Sequence, residues 1–189
     1  MEKAWLPEII SNENINLRPI SWKSIAQDAE NVVKWAGDSD VRDALRYFSF
    51  FHNGATLDRQ LEYFCKIIES RNDHIFVIGF KSGEFLGTCG LHDIDWVNNN
   101  LRIGIIIFNK NYWRQGYGTS SLNLLLGFAF GKLGMNKVYL TARADNDLAI
   151  HIYEKFGFKR EGVMRDEYRV EGGRYIDLLR MSILKSEWK

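Results

Sequence analysis

The stretch from Arg102 to Gly134 constrains the fold more than any other. It reads as an apolar strand, Arg102 to Phe108, then the loop Asn111-Tyr112-Trp113-Arg114-Gln115-Gly116-Tyr117-Gly118, then a leucine-rich helical run. Gly116 and Gly118 let the backbone turn sharply and approach a ligand closely. The helix behind them begins with free N–H groups and a partial positive charge. Strand, glycine loop and helix together make a site for phosphate or pyrophosphate. A nucleoside-triphosphate loop of the Gly-Lys-Ser/Thr type is excluded, because no such lysine is present. A dinucleotide fingerprint requires a third glycine where Ser121 stands, and belongs near the start of a repeated βαβ pattern rather than past the chain's midpoint. Taken alone, the two glycines fit a plain tight turn into a core helix better than a ligand site.

The 189 residues suit one domain, 1–189, large enough to bury a real core. A net charge of +1 gives no electrostatic footprint for nucleic acid. No apolar run approaches the roughly 20 residues of a membrane span, and the start, Met1 to Trp5, lacks the apolar core of a signal peptide. No metal-ligand spacing appears. Cys65 and Cys89 show no disulfide framework and read as reduced, buried residues of a cytoplasmic protein.

Periodicity predicts the remaining elements. Ile15 to Pro19 is a strand. Ser21 is placed to cap a helix with Ile25, Ala29, Val32 and Ala36 on one face, and Gly37 to Asp40 breaks it. Val41 to Asn53 is aromatic and irregular. Thr56 caps a second helix with Leu57, Leu61, Phe64 and Ile68 on one face. Ile75–Phe80, Phe85–His92 and Arg102–Phe108 form an antiparallel meander. Leu122, Leu125, Leu126, Ala129, Phe130 and Leu133 are the buried stripe of the helix after the glycine loop. A strand over Asn136 to Arg143, a helix from Asn146, and a final hairpin turning at Glu171-Gly172-Gly173 complete the chain. This order predicts an α+β, or mixed α/β, fold with one twisted, mostly antiparallel sheet flanked by helices. The strand–helix–strand unit around the glycine loop is a right-handed crossover, so its two strands are parallel.

The segment from Asn146 to Phe158 supplies the second motif: Asn146, Ala149, Tyr153, Gly157 and Phe158 fall at the spacing Asn-x-x-Ala-x-x-x-Tyr-x-x-x-Gly-Phe. About thirty residues earlier, Trp113 to Gly118 corresponds to an Arg/Gln-x-x-Gly-x-Gly/Ala loop. Both motifs, in this order, resemble the GNAT superfamily of acyl-CoA-dependent N-acyltransferases. The run Ile150-His151-Ile152-Tyr153, the run Lys155-Phe156-Gly157-Phe158 and the opening Asn16-Leu17-Arg18-Pro19 are most similar to the spermidine and ribosomal-protein N-terminal acetyltransferase branches. The resemblance covers nearly the whole chain and is most specific from Phe76 to Ser182.

That resemblance implies acetyl-CoA as co-substrate and a central parallel strand pair that splays at one end to admit the pantetheine arm. It places the cofactor along Ile106, Ile107 and Phe108, against the loop amides of Arg114, Gln115, Gly116, Tyr117, Gly118 and Thr119, and at Asn146, Ala149 and Tyr153. The first loop residue of the family is often Arg or Gln; Trp113 stands there, which points to the amides as the binding groups. Arg114 is open to a charge-assisted contact or to solvation. Asn146 is open to cofactor contact or to capping its own helix, and Tyr153 to protonating the departing thiolate or to a core position. A β-bulge within Gly104–Ile107 would present the N–H that polarises the thioester carbonyl.

N-acyl transfer needs a neutral amine. A lysine-like ammonium of pKa near ~10.4 is neutral in about one molecule per 10³ at pH 7, a deficit of roughly 4–5 kcal/mol. The glutamate that family members often carry before the glycine loop falls at Ile103. His92, Asp93 and Asp95 are then the candidates for proton acceptor, His92 having the more useful unperturbed pKa, although residues of these types at such a place are more often turn residues than bases. The acceptor is a primary amine: a polyamine, a protein or peptide N-terminus, an amino sugar or an antibiotic. Its choice lies in Val41–Asn53, which the resemblance makes one wall of the acceptor site, and in Glu161–Arg174. Asp38, Asp40, Asp43, Glu161, Asp166, Glu167 and Glu171 are open to forming an acidic mouth for a polycation or to ordinary solvation. The resemblance permits a homo-oligomer. The alternative activity is a CoA-binding regulatory module without turnover.

Overall fold

The computed structural model describes residues 8–41, 55–170 and 173–189. Its strands are β1 (Ile10–Ser11), β2 (Asn16–Pro19), β3 (His74–Gly79), β4 (Phe85–Asp95), β5 (Asn100–Ile107), β6 (Lys137–Arg143), β7 (Lys159–Arg169) and β8 (Tyr175–Leu184). Its main helices are α1 (Ile25–Ala36), α2 (Leu57–Glu69), α3 (Tyr117–Gly127) and α4 (Asp147–Lys155). The strands form one open sheet in the order β1-β2-β3-β4-β5-β6-β8-β7. Every neighbouring pair is antiparallel except β5–β6, which is parallel. This is the mixed α/β architecture expected from the order of elements.

Alternation along the strands divides the core into two layers. One face carries Leu91, Leu101 and Ile103 against Leu122, Leu125 and Leu126 of α3. The other carries Ile75 and Val77 against Ala29 and Val32 of α1 and Phe64 and Ile67 of α2. After Gly127 the backbone widens into a π-turn over Phe128–Lys132. The altered pitch turns Phe128, Ala129 and Phe130 all inward, where they are buried together.

Local details depart from the periodic reading at two places. Helix α1 begins at Ile25, with Ser24 at its N-cap, and Ser21 contributes its carbonyl rather than its side chain, accepting from the N–H groups of Ser24 and Ile25. The Ser24 hydroxyl is occupied by Arg18 at 2.8 Å, which leaves the tight turn, not a side-chain cap, to start the helix. In α2, Thr56 does accept from Arg59 N–H, but Leu57 is exposed and Gln60 is buried in the stripe. Of the stretch Val41 to Asn53, only Val41 falls within the described residues, where it is fully buried; of the Glu171-Gly172-Gly173 turn, only Gly173 does. The closing hydrogen bonds of that hairpin are Val170 N–H to Arg174 O and Gly173 N–H to Val170 O.

Asp28 is the one buried acid of α1, 1% exposed, and Arg18 on β2 grips both its oxygens at 2.6 and 3.2 Å. The pair pins the first helix to the sheet. Arg18→Ala leaves Asp28 with no counter-charge. Because Arg18 is about a third exposed, the expected loss is about 2–3 kcal/mol, below the range for a wholly buried pair; urea unfolding monitored by circular dichroism measures it.

Candidate active site

Strands β5 and β6 are partnered at only three positions, Asn100–Lys137, Leu101–Val138 and Arg102–Tyr139. Beyond Arg102, β5 stays laddered to β4 through Gly87–Ile107, while β6 stays laddered to β8 through Arg143–Leu178. The facing edges of Ile103–Ile107 and Leu140–Arg143 therefore have no strand partner among the described residues. They border a wedge with unspent backbone donors and acceptors. This is the splay that the resemblance implied.

The glycine loop crosses the wide end of this wedge. Asn109, 5% exposed, sends Nδ2 to Phe85 O and accepts the Asn111 N–H. The Trp113 indole N–H turns back and donates to Ile107 O at 2.8 Å, so Trp113 closes the end of β5 instead of facing a ligand. Gln115 Nε2 donates to Asn111 O at 2.7 Å, which ties that side chain back onto the loop. Phe80, Tyr112 and Tyr117 meet edge to face, with centroids 5.1, 5.3 and 5.8 Å apart, and Tyr112 is tied to Glu84 by its hydroxyl. On this support Arg114 adopts φ 60 and Gly116 φ 86. The exposed Arg114 side chain adds a charge beside the amides. The Ser120 N–H bonds to Gly116 O. The preceding amides of Tyr117, Gly118 and Thr119 stand at the free N-terminus of α3. Gly118 lies beside Ile107: a Cβ added there would sit 3.8 Å from its side chain. The free N-terminus of α3 thus adjoins the β5 wall of the wedge.

Helix α4 starts beyond β6. Asn146 caps it, its side-chain oxygen accepting from Ala149 N–H at 3.2 Å, so the capping alternative is realised and the amide nitrogen remains to meet a cofactor. Tyr153 packs against Phe158 at 5.8 Å within the layer shared with α3. Burial raises its phenol pKa above the usual value, which keeps the proton in place at neutral pH.

The β4–β5 ladder keeps one register from Gly87–Ile107 to His92–Arg102, so the bulge expected within Gly104–Ile107 is not there. The irregularity falls instead between His92 and Asp95, where Asp93 takes φ 52. The bulge frees the Asp93 N–H from the ladder to reach Asp73 Oδ1 at 3.2 Å. It also separates the three candidate proton acceptors. Asp93 is clamped by Arg102 at 2.6 Å. Asp95 accepts from Asn98, by side chain and backbone, and from Val97 N–H, which holds its carboxyl below the usual range. His92 alone turns inward, its side chain 14% exposed. Burial first, and Arg102 second, lower its pKa, so the imidazole is neutral at pH 7. Its ring lies across Gly90, where an added Cβ would come within 2.5 Å of Nε2, and reaches towards Gly104 on β5. Asp73, which carried no signal in the sequence, stands 3.4 Å from Nδ1.

Three of the acids considered for an acidic mouth are already engaged by basic or polar side chains. Asp38 and Asp40 hold Lys110 at 2.8 and 2.7 Å. Glu161 is engaged by Lys137, Ser182 and Arg180. Asp43 and Glu171 lie outside the described residues. Cys89 is buried, which pushes its thiol pKa up and leaves it unreactive.

A family model described as an acetyltransferase (GNAT) domain matches residues 14–159. The spermidine N(1)-acetyltransferase of Escherichia coli (strain K12) is 30% identical over 159 residues, covering 78% of this chain and 84% of that protein. The putative ribosomal N-acetyltransferase YdaF of Bacillus subtilis (strain 168) is 28% identical over 183 residues, covering 94% and 95%. In three dimensions the chain superposes on the spermidine N-acetyltransferase of Vibrio cholerae, a structure holding CoA and spermine, with a TM-score of 0.79 over 93% of this chain and 98% of that one; at 24% identity this likeness speaks for the fold.

Gly116 occupies a backbone region that a β-branched residue enters only under strain of about 1–3 kcal/mol. Gly116→Val is expected to raise the acetyl-CoA Kd about tenfold, read by isothermal titration calorimetry, with the sheet's circular dichroism unchanged.

Proposed function

Because the chain belongs to the GNAT acetyltransferase family, we propose that the wedge between β5 and β6 holds the thioester of acetyl-CoA while a primary amine attacks it directly. The protein is an acetyl-CoA-dependent N-acetyltransferase, with acetyl-CoA as its co-substrate. The single observation that carries the assignment of the site is the three-residue limit of β5–β6 pairing, with the α3 N-terminus across its open end.

In this reading the free amides of Gly116, Tyr117, Gly118 and Thr119 bind the pyrophosphate, with Arg114 beside them. The unpaired edge of β5 at Ile106 and Ile107, running to Phe108, pairs with the amides of the pantetheine arm as a strand would. Asn146 and the first turn of α4 at Ala149 line the opposite wall. His92 takes one proton from the acceptor ammonium. The freed amine forms the C–N bond at the thioester carbonyl and the C–S bond breaks. Tyr153 gives its proton to the departing thiolate and recovers one, through water, from the acylated nitrogen. The products are an N-acetyl amine and free CoA, and the proton on His92 passes to solvent.

The acceptor class favoured by the relatives is a polyamine, with peptide N-termini second; amino sugars and antibiotics complete the set. Thiol release from acetyl-CoA against spermidine, an N-terminal peptide series, amino sugars and aminoglycosides tests this. Saturable release with one class names the acceptor. Tyr153→Phe is expected to lower kcat on that acceptor by about 10²-fold, a typical contribution of a positioned proton donor, with the acetyl-CoA Kd unchanged. Equal kcat in the variant overturns the role given to Tyr153.

A further inference from the structure

The bulge that ends β4 does more than terminate a ladder. It stitches β4 to the turn between α2 and β3: Asp93 N–H donates to Asp73 Oδ1, and Ile94 N–H to Asn72 O at 3.0 Å. The Asp73 carboxylate is fixed from the other side as well. Ser70 Oγ–H donates to Asp73 Oδ2 at 3.1 Å, and the same hydroxyl oxygen accepts from the N–H groups of Asn72 and Asp73. Both carboxylate oxygens are thus held before any contact with His92 is counted.

His92 enters this arrangement with Nδ1 towards Asp73 and Nε2 on the far side of the ring, over Gly90 and near Gly104. The Cβ-less Gly90 makes room for the imidazole, since a Cβ there would collide with both Nε2 and Cε1. Gly104 lies two residues past Arg102, the last β5 residue partnered with β6, and so at the apex of the wedge. Other charged and titratable groups face this corner. They are Arg102 on β5, with Asp93 bound to it, His74 on β3, and Tyr63 on α2, which senses both Asp73 and Arg102.

We propose that Asp73 is a positioning residue for acetyl transfer: it orients the His92 imidazole through Nδ1 so that Nε2 faces the acceptor nitrogen at the wedge apex, and it stabilises the imidazolium once the proton has moved. Ser70 and the Asp93 amide hold Asp73 for this task. The inference rests on the reading of His92 as proton acceptor. The transfer itself moves one proton from the acceptor ammonium to Nε2, while the proton on Nδ1 stays between the ring and Asp73. An imidazole with an oriented tautomer accepts a proton in one direction only, and the fixed carboxylate offsets the positive charge that appears. Asp73 raises the His92 pKa and Arg102 lowers it. Removing either therefore shifts the base in opposite senses.

The test is a pH profile of kcat at saturating acetyl-CoA and acceptor, set beside an NMR titration of the His92 ring in the same proteins. In the wild type both readouts are expected to titrate below pH 6.5, the usual histidine value. Asp73→Asn is expected to lower kcat at pH 7 by about 10–100-fold, as the loss of an orienting partner does, with the KM for acetyl-CoA unchanged. Its acid limb and its ring titration both move to lower pH. Arg102→Gln is expected to move both to higher pH. Ser70→Ala, which loosens Asp73 without removing its charge, gives a smaller fall in kcat and covers the case of an unfolded Asp73→Asn. The proposal is overturned if Asp73→Asn keeps the wild-type kcat and acid limb, or if the ring titration moves while the acid limb stays. An acid limb that persists in His92→Gln defeats the reading of His92 itself, separately from the role of Asp73.

Discussion

The site depends on a parallel strand pair that stops early. Parallel ladders are held by evenly spaced, slanted hydrogen bonds, and here only three residue pairs contribute them. Each strand has a full antiparallel partner on its other side, β4 for β5 and β8 for β6, and those partnerships carry the sheet past the point of separation. The wedge can therefore remain open without loosening the fold. Its backbone groups are left open to a ligand that presents amides of its own, as the proposed placement of the pantetheine arm requires.

The rest of the site is built to keep that opening aligned with the free N-terminus of α3. Trp113 fastens the loop to the last carbonyl of β5, Asn109 fastens it to β4, and the Phe80–Tyr112–Tyr117 group packs beneath. These contacts fix a loop that must hold Arg114 and Gly116 at positive φ. On the opposite edge, α4 begins with its own cap and carries Tyr153 into an apolar layer. Desolvation there favours the neutral phenol, the form that can give a proton away.

The proposed mechanism removes the acceptor's proton without a carboxylate on β5. Ile103, at the position where the sequence resemblance leads one to expect a glutamate, is 4% exposed and belongs to the α3-side core. A charged group there would be buried among leucines. The polar machinery sits on the other face of the sheet, at the bulged end of β4, where His92 is buried enough to be neutral yet lies against a fixed acid. Arg102 has a double effect in this corner, neutralising Asp93 and disfavouring protonation of His92.

Much was legible in the chain itself. Periodicity located the meander, the glycine loop with its helix, and the α4 segment, because those patterns reflect burial on one face and hold wherever the element packs. Two motifs in order were enough to indicate the cofactor. What the sequence could not contain was the pairing of residues distant along it. Asp73 follows a serine turn like many others, and becomes distinctive only when a bulge twenty residues later turns the Asp93 amide towards it. The bulge was expected on β5 and lies on β4, since no local residue pattern specifies where a ladder loses register. Trp113 and Gln115 occupy ligand-binding positions in the motif, yet their side chains close the loop. Strand order, the length of the parallel pairing and the position of the bulge are properties of the assembled sheet. The residue types and spacings supplied the chemistry, and the tertiary structure decided which of those groups meet.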